Sequence, residues 1–166
     1  HGFGDLGREE LDGPDGVVID PPRRALQEFM AAQREAGMLL CLCSKNNEED
    51  VVETFRVKPE MPLRPDHFVA RRINWEAKSV NLASNADELE LGLDTFIFVD
   101  DNPQERAEVL ADRPEVLTLP LPAEVDDIPD FLNHVWAFDH IQITEEDRRR
   151  PALYAQRVER ARLEKQ

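Results

Sequence analysis

Cysteine is scarce in this sequence. Its 166 residues include two cysteines, Cys41 and Cys43, so no disulfide framework can hold a small fold together. A zinc site would need further ligands at short spacing, and no CxxC or HxxxH pair is present. Both cysteines lie in an apolar run, which is typical of reduced thiols in a buried strand. This use of cysteine favours a cytoplasmic protein.

Long apolar runs are missing as well. No stretch approaches the roughly 18–20 apolar residues that a membrane-spanning helix needs. The first residues, His1-Gly2-Phe3, begin neither the basic region nor the apolar core of a signal peptide. Because the sequence does not begin with Met, we interpret it as a processed, excised or trimmed piece of something longer.

Basic residues are fewer than acidic ones: the sequence has 20 Lys and Arg and 35 Asp and Glu, which gives a formal net charge of −15. Such a surface repels the phosphates of nucleic acids and of anionic membranes, so we expect neither as a partner. It also repels small phosphorylated molecules, so an anion site on this chain must be locally basic or must hold a metal ion. The length fits one domain, with room for an appended helix.

Short apolar runs alternate with segments of helical periodicity. The runs 38–43, 95–99 and 116–119 resemble buried parallel strands, and the proline-containing stretch 57–75 predicts short strands and loops. Helical spacing covers 21–36, 48–56, 76–91, 103–111 and 129–137, and a charged helix follows Thr144, with Pro151 expected to kink it. This alternation predicts a three-layer α/β fold with a parallel central sheet, in which ligands bind beyond the carboxyl ends of the strands. We divide the chain into a core, residues 1–140, and a C-terminal charged helix, residues 141–166, that could serve as a linker or docking element.

Polar residues follow two predicted strands and open one predicted helix. Ser44 follows the first strand, Lys78 lies near a helix start, and Asp100-Asp101 end another strand. Taken singly, each is more typical of a turn, a solvated helix face or a helix cap. Together they supply carboxylates for Mg²⁺, a hydroxyl and helix-start amides for phosphate, and a lysine for developing negative charge. The combination predicts a phosphoryl-transfer site.

The order Ser, Lys, Asp-Asp resembles the haloacid-dehalogenase (HAD) superfamily, in which a nucleophilic Asp precedes these three. Longer strings narrow the resemblance: CSKNNEED at 43–50, NWEAKSVNL at 74–82, VDDNPQER at 99–106 and ITEEDRRR at 143–150. Over about residues 13–160 the sequence resembles FkbH-like domains, the subclass IIIC phosphatase-like glyceryl transferases. The resemblance implies a Rossmann-like HAD fold, here lacking its first strand.

Members of that family are implied to capture a glyceryl group from 1,3-bisphosphoglycerate, remove phosphate, and load the glyceryl unit onto an acyl carrier protein for polyketide-type biosynthesis. The same resemblance implies roles for six residues: metal binding by Asp100 and Asp101, the latter also catalytic; phosphate binding by Ser44 and Lys78, the latter also catalytic; and phosphate or glycerate contacts by Lys45 and Asn46. The implied cofactor is Mg²⁺, and the implied substrate is a small phosphorylated three-carbon molecule.

Cys43 ends the predicted strand directly before Ser44. The family chemistry implies a cysteine thioester that carries the glyceryl group, and this places Cys43 among the candidate catalytic residues. Lys45 and the following helix start would activate the thiol by lowering its pKa. A buried structural thiol is the alternative, and the sequence leaves both open.

The family pattern begins with a strand that ends in a DxDxT-like motif, whose first Asp is the nucleophile. No such strand precedes the Gly-rich segment 2–16 in this sequence. Asp20 follows an apolar triplet, but Pro21-Pro22 after it favours a helix cap. We therefore expect the nucleophile and the central strand to lie upstream.

Partner and function remain open to alternatives. An acidic carrier protein would dock on a basic patch, and the last helix offers Arg148, Arg149, Arg150, Arg157, Arg160 and Arg162. These arginines could equally form ion pairs along a solvated helix. The alternatives to a glyceryl transferase are a generic HAD phosphatase acting on another small phosphate ester and a non-catalytic docking module that binds no Mg²⁺.

Overall fold

The computed structural model describes residues 19–139 and 144–165. The irregular loop expected at the N-terminus falls largely outside these ranges. The helices are α1 (Pro21–Glu35), α2 (Glu48–Val57), α3 (Lys78–Leu89), α4 (Pro103–Asp112), α5 (Ile128–His134) and α6 (Glu145–Glu164). The strands are β1 (Leu40–Ser44), β2 (Phe68–Ile73), β3 (Ile97–Asp100) and β4 (Leu117–Pro120).

The strands pair in two parallel sheets. β1 pairs with β2 so that Ser44 lies opposite Ile73, and β3 pairs with β4 so that Asp100 lies opposite Pro120. Helices α2 and α4 make the two crossovers, as parallel pairing requires. The predicted mixed α/β fold with parallel strands is confirmed, but the described residues form two sheets of two strands instead of one continuous sheet.

A cavity of about 580 Å³ separates the two sheets. Residues 40–43 of β1 and 97–99 of β3 line it, together with apolar side chains such as Phe68 and Phe138. Within the described residues, β1 and β3 each have a hydrogen-bonded neighbour on one side. This arrangement is the one expected of a parallel sheet without its first strand.

The C-terminal helix α6 packs against the core. Val158 is buried with Val69 and Ala70 of β2. The ion pairs Arg162–Glu88 and Arg157–Glu90 connect α6 to the C-terminal end of α3. Within the described residues, four of its six arginines form ion pairs, two inside α6 itself and two with residues at the end of α3. Pro151 lies inside an unbroken α6. Among the described helices, none is long and apolar enough to cross a bilayer.

Helix α3 ends earlier than predicted. Glu90 adopts a left-handed conformation with φ 54°, and the Leu91 N–H donates to the Ala86 carbonyl at 3.0 Å, which closes the helix. A left-handed conformation costs a residue other than glycine roughly 1–2 kcal/mol, and sequence reasoning therefore placed the end at Gly92. The Glu90 side chain forms an ion pair with Arg157 of α6, a tertiary contact that no local pattern shows.

Gly37 terminates α1, as predicted, and its φ is 101°. The N–H groups of Gly37 and Met38 donate to the carbonyls of Arg34 and Gln33 at 2.9 and 3.0 Å, which is the Schellman arrangement. A Cβ atom on residue 37 would lie 2.2 Å from the backbone oxygen of Asp147 in α6. Glycine here therefore allows the end of α1 to approach the first turn of α6.

We expect Gly37→Ala to lower the free energy of unfolding by about 2–3 kcal/mol, because it adds both backbone strain and a clash with α6. Urea denaturation measures this change. Gly92→Ala is the matched control, because φ there is −72° and a Cβ would approach a movable side chain, that of Asp94. An equal loss for the two variants would contradict the argument.

Candidate functional site

Lys78 connects the carboxyl ends of the two sheets. It opens α3 and is fully buried. Its Nζ atom donates a hydrogen bond to the Cys43 carbonyl at 2.7 Å and lies 4.0 Å from Oδ2 of Asp100. Because Cys43 lies near the end of β1 and Asp100 ends β3, one ammonium group faces both strand ends. A buried charge of this kind needs such partners to be tolerated.

The turn after β3 fixes the acidic pair. Asp100 is 0% exposed, and its Oδ1 accepts the N–H of Asn102 at 2.8 Å. Arg106 donates from Nη1 to the Asp100 carbonyl at 2.7 Å. Asn102 also caps α4, since its side chain accepts the N–H of Gln104 at 2.9 Å. Hydrogen bonds thus hold one carboxylate oxygen and the backbone carbonyl of Asp100, and Asp101 follows it half-buried.

Ser44 lies buried at the end of β1. Its carbonyl accepts the N–H of Asn74 at 3.0 Å. Its Oγ atom has no hydrogen-bond partner among the described residues. A buried hydroxyl without a partner carries a cost of about 1–3 kcal/mol, which a ligand oxygen at this position would remove.

Asn74 and Asn81 fix the loop that leads into α3. Their amides exchange two hydrogen bonds, of 3.1 and 2.8 Å. Trp75, which follows Asn74, is 69% exposed, so packing in the core does not explain a tryptophan at this position. Its Nε1 atom lies 3.4 Å from Oδ1 of Asn47, in the loop after β1. The two loops therefore meet at the carboxyl edge of β1 and β2.

The two remaining candidates on the loop after β1 are already engaged. Lys45 donates from Nζ to Oε1 of Glu105 on α4 at 2.9 Å. Oδ1 of Asn46 accepts the N–H of Asn47 at 2.8 Å. Each side chain keeps further donors, two on the Lys45 ammonium and the NH₂ group of Asn46, so a substrate contact by either one stays a prediction. Glu105 lies in the motif around Asp100, but sequence reasoning assigned it no role.

Burial raises the pKa of Cys43 to about 11. The Lys78 ammonium lowers this pKa, whereas Asp100 and Glu105 raise it. Lys45 was expected to activate the thiol, but its partner is Glu105, and the cation that acts on Cys43 is Lys78. The thiol is therefore protonated at neutral pH in this environment. The role of Cys43 as a covalent carrier stays a prediction.

Alkylation of Cys43 is expected to be slow at pH 7 and to rise about tenfold per pH unit, without a plateau, up to pH ~9.5, because the thiolate is the reactive form. Mass spectrometry after iodoacetamide treatment measures the rate in a Cys41→Ser background, which removes the other free thiol. Lys78→Met should slow the reaction further, since it removes the cation that lowers the pKa. A rate that levels off below pH 8 would show an activated thiolate instead.

The donor set fits a hard divalent cation. Asp100 and Asp101 offer carboxylate oxygens, and Mg²⁺ prefers oxygen ligands. Across 19–139 and 144–165, no three His, Cys, Asp or Glu side chains gather closely enough to hold a metal. Mg²⁺ commonly takes one or two protein carboxylates and completes its shell with water and phosphate, so two carboxylates are sufficient.

No protein-family model matches the sequence, and no curated protein matches it. A solved structure does: the N-terminal part of a Bacteroides fragilis protein, containing a phosphatase domain and complexed with Mg. The two are 32% identical in sequence, with a TM-score of 0.71, over 84% of this chain and 37% of that chain. This chain thus spans less than half the length of its structural neighbour. With the two parallel strand pairs described above, the likeness shows that the chain shares the mixed α/β fold of that phosphatase domain.

Proposed function

We propose that this chain forms most of a Mg²⁺-dependent phosphatase domain of the HAD type, acting on a small phosphorylated substrate. The observation that carries the proposal is the position of Lys78, which brings one buried ammonium to the ends of both β1 and β3. The Bacteroides structure contains a phosphatase domain and was determined with Mg, which supports both the activity and the metal.

Each side chain then has a chemical role. Asp100 and Asp101 would hold Mg²⁺, which when bound neutralises phosphate charge and acts as a Lewis acid. The Ser44 hydroxyl would donate to a phosphate oxygen and gain the partner that it lacks in the described residues. The Lys78 ammonium would stabilise the negative charge that develops on the transferring group. These interactions would be strong because Ser44, Lys78 and Asp100 are buried.

Catalysis also needs the nucleophilic Asp, which the resemblance implies on a central strand. We propose that this strand fills the cavity between β1 and β3. The edges of both strands that line the cavity have no strand partner among the described residues. Asn85 of α3, 0% exposed, also lines the cavity, and neither polar atom of its amide has a partner there. A parallel strand would supply backbone donors and acceptors to all three.

The finer proposal is the glyceryl transfer that the FkbH-like resemblance implies. In it, 1,3-bisphosphoglycerate loses phosphate and its glyceryl unit passes to an acyl carrier protein, with Cys43 as the intermediate carrier. The position of Cys43 supports this, since its carbonyl already binds Lys78 at the site. The raised pKa keeps the Cys43 thiol protonated at neutral pH. Because the thiolate is the nucleophile, the thiol would have to lose this proton after the substrate binds.

The test uses the full polypeptide that contains this chain, 1,3-bisphosphoglycerate, Mg²⁺ and a carrier protein. Phosphate release is measured colorimetrically, and the carrier is analysed by mass spectrometry. Release of phosphate with a glyceryl thioester on the carrier supports the finer proposal, and release with free glycerate supports a phosphatase alone. Release that persists unchanged after EDTA treatment, or no release from any phosphate ester tried, would overturn the proposal of a Mg²⁺-dependent phosphatase.

A further inference from the structure

Helix α3 begins without a cap of its own. Its N-cap residue, Ala77, has no side chain that could accept a hydrogen bond from the first-turn amides. Such amides need acceptors, particularly where the helix start is buried. Glu108 of α4 supplies one, because its Oε2 accepts the N–H of Ser79 at 3.1 Å. The Ser79 hydroxyl donates to Oε1 of the same carboxylate.

This contact lies next to the central residue of the site. Ser79 is 1% exposed and follows Lys78 directly in the chain. The position of the first turn of α3 determines where the Lys78 side chain starts, and the Nζ atom must reach the Cys43 carbonyl at 2.7 Å. A shift of the turn by about 1 Å would lengthen that contact beyond hydrogen-bonding distance.

We propose that Glu108 is a positioning residue: its carboxylate fixes the first turn of α3 and thereby holds Lys78 between Cys43 and Asp100. The significance of this contact for catalysis rests on the proposed function. Glu108 lies on the helix that begins just after Asp100-Asp101. Helix α4 therefore begins just after the carboxylates proposed to bind the metal, and it also positions the lysine proposed to bind phosphate.

Asp112 provides a matched control one helical turn further along α4. Its Oδ2 atom lies 3.3 Å from the Ser79 hydroxyl oxygen. The hydroxyl has one proton to donate, and the shorter contact is the one to Glu108. The Ser79 N–H donates to Glu108, so we expect the loss of the Asp112 carboxylate to leave the helix start in place.

The experiment measures inhibition by inorganic phosphate and the turnover of a phosphate ester by the full polypeptide. Glu108→Ala is expected to raise the inhibition constant for phosphate about tenfold and to lower kcat/KM by a similar factor, equivalent to ~1.4 kcal/mol. Asp112→Asn should change either value less than about twofold. Adding Ala77→Ser to Glu108→Ala gives α3 its own cap and should restore most of the phosphate affinity.

Two outcomes separate this inference from the proposed function. If the unmodified protein binds phosphate and Glu108→Ala binds it equally well while unfolding more easily, Glu108 is merely structural and the inference is overturned. If the unmodified protein binds no phosphate, the proposed function fails, and the ¹⁵N resonance of Lys78 Nζ then decides the inference. A shift of that resonance in Glu108→Ala, reversed by Ala77→Ser, supports positioning, and an unchanged resonance refutes it.

Discussion

Asp100→Asn is expected to lower kcat for phosphate release by about 10³-fold and to weaken Mg²⁺ binding at least tenfold. The substitution keeps the shape of the side chain and its acceptor for the Asn102 N–H, but it removes a buried negative charge from the proposed metal site. Removing a single preorganised electrostatic contact from an active site typically costs 10²–10³-fold. We expect the upper end of that range here because Asp100 is proposed to bind the metal ion directly. Stopped-time phosphate assays and calorimetric titration with Mg²⁺ measure the two effects.

Asp126→Asn is the control for this variant, because it removes an exposed carboxylate from a 3-10 turn outside the candidate site. It lowers the excess negative charge of the protein by the same amount and should leave turnover and Mg²⁺ binding within twofold. If Asp100→Asn retains full turnover, Asp100 is not part of the catalytic site. If the unmodified protein shows neither turnover nor Mg²⁺ binding, the chain is better explained as a docking module.

Lys78→Met should both abolish turnover and destabilise the fold. The variant leaves the Asp100 carboxylate buried near an apolar side chain, and breaking one side of a buried pair costs about 3–5 kcal/mol. At 4.0 Å the pair is loose, so we expect a loss near ~3 kcal/mol. Guanidinium denaturation measures the stability, and the phosphate assay measures the turnover.

The double variant Lys78→Met with Asp100→Asn separates the two effects. The double variant also removes the buried Asp100 charge that the loss of Lys78 alone leaves behind. Its loss of stability should therefore be smaller than the sum of the single losses by roughly 1–2 kcal/mol. Turnover should remain as low as in either single variant, because the phosphate and metal contacts are both absent. Strictly additive losses in stability would mean that Lys78 and Asp100 do not interact through their charges.

Much of the fold could be predicted because it depends on local signals. Asp20 caps α1 through the N–H of Arg23, and Thr144 forms a capping box with Asp147 at the start of α6, each within three residues along the chain. The short apolar runs before Ser44 and Asp100 became the parallel strands β1 and β3. A side chain near in sequence, or a period of two or 3.6 residues, is sufficient for such features.

The features that were missed join residues far apart in the chain. The Lys45–Glu105 ion pair joins residues 60 apart, and the hydrogen bonds of Ser79 to Glu108 join residues 29 apart. Glu90, in a left-handed conformation, ends α3 at a position that is not occupied by glycine. No spacing pattern encodes these contacts, because they depend on how α3, α4 and α6 pack once the strands have paired.

By itself, the sequence determined the helices, the strands and the polar residues at the strand ends, since each of these follows from nearby side chains and their periodicity. The tertiary structure alone decided that one buried lysine reaches the ends of β1 and β3, that its helix is capped from α4, and that the sheet is divided around a cavity. The physical reason is that hydrogen bonds and ion pairs extend over only about 3–4 Å. Groups distant in sequence come within that range only when the packed core brings their elements together.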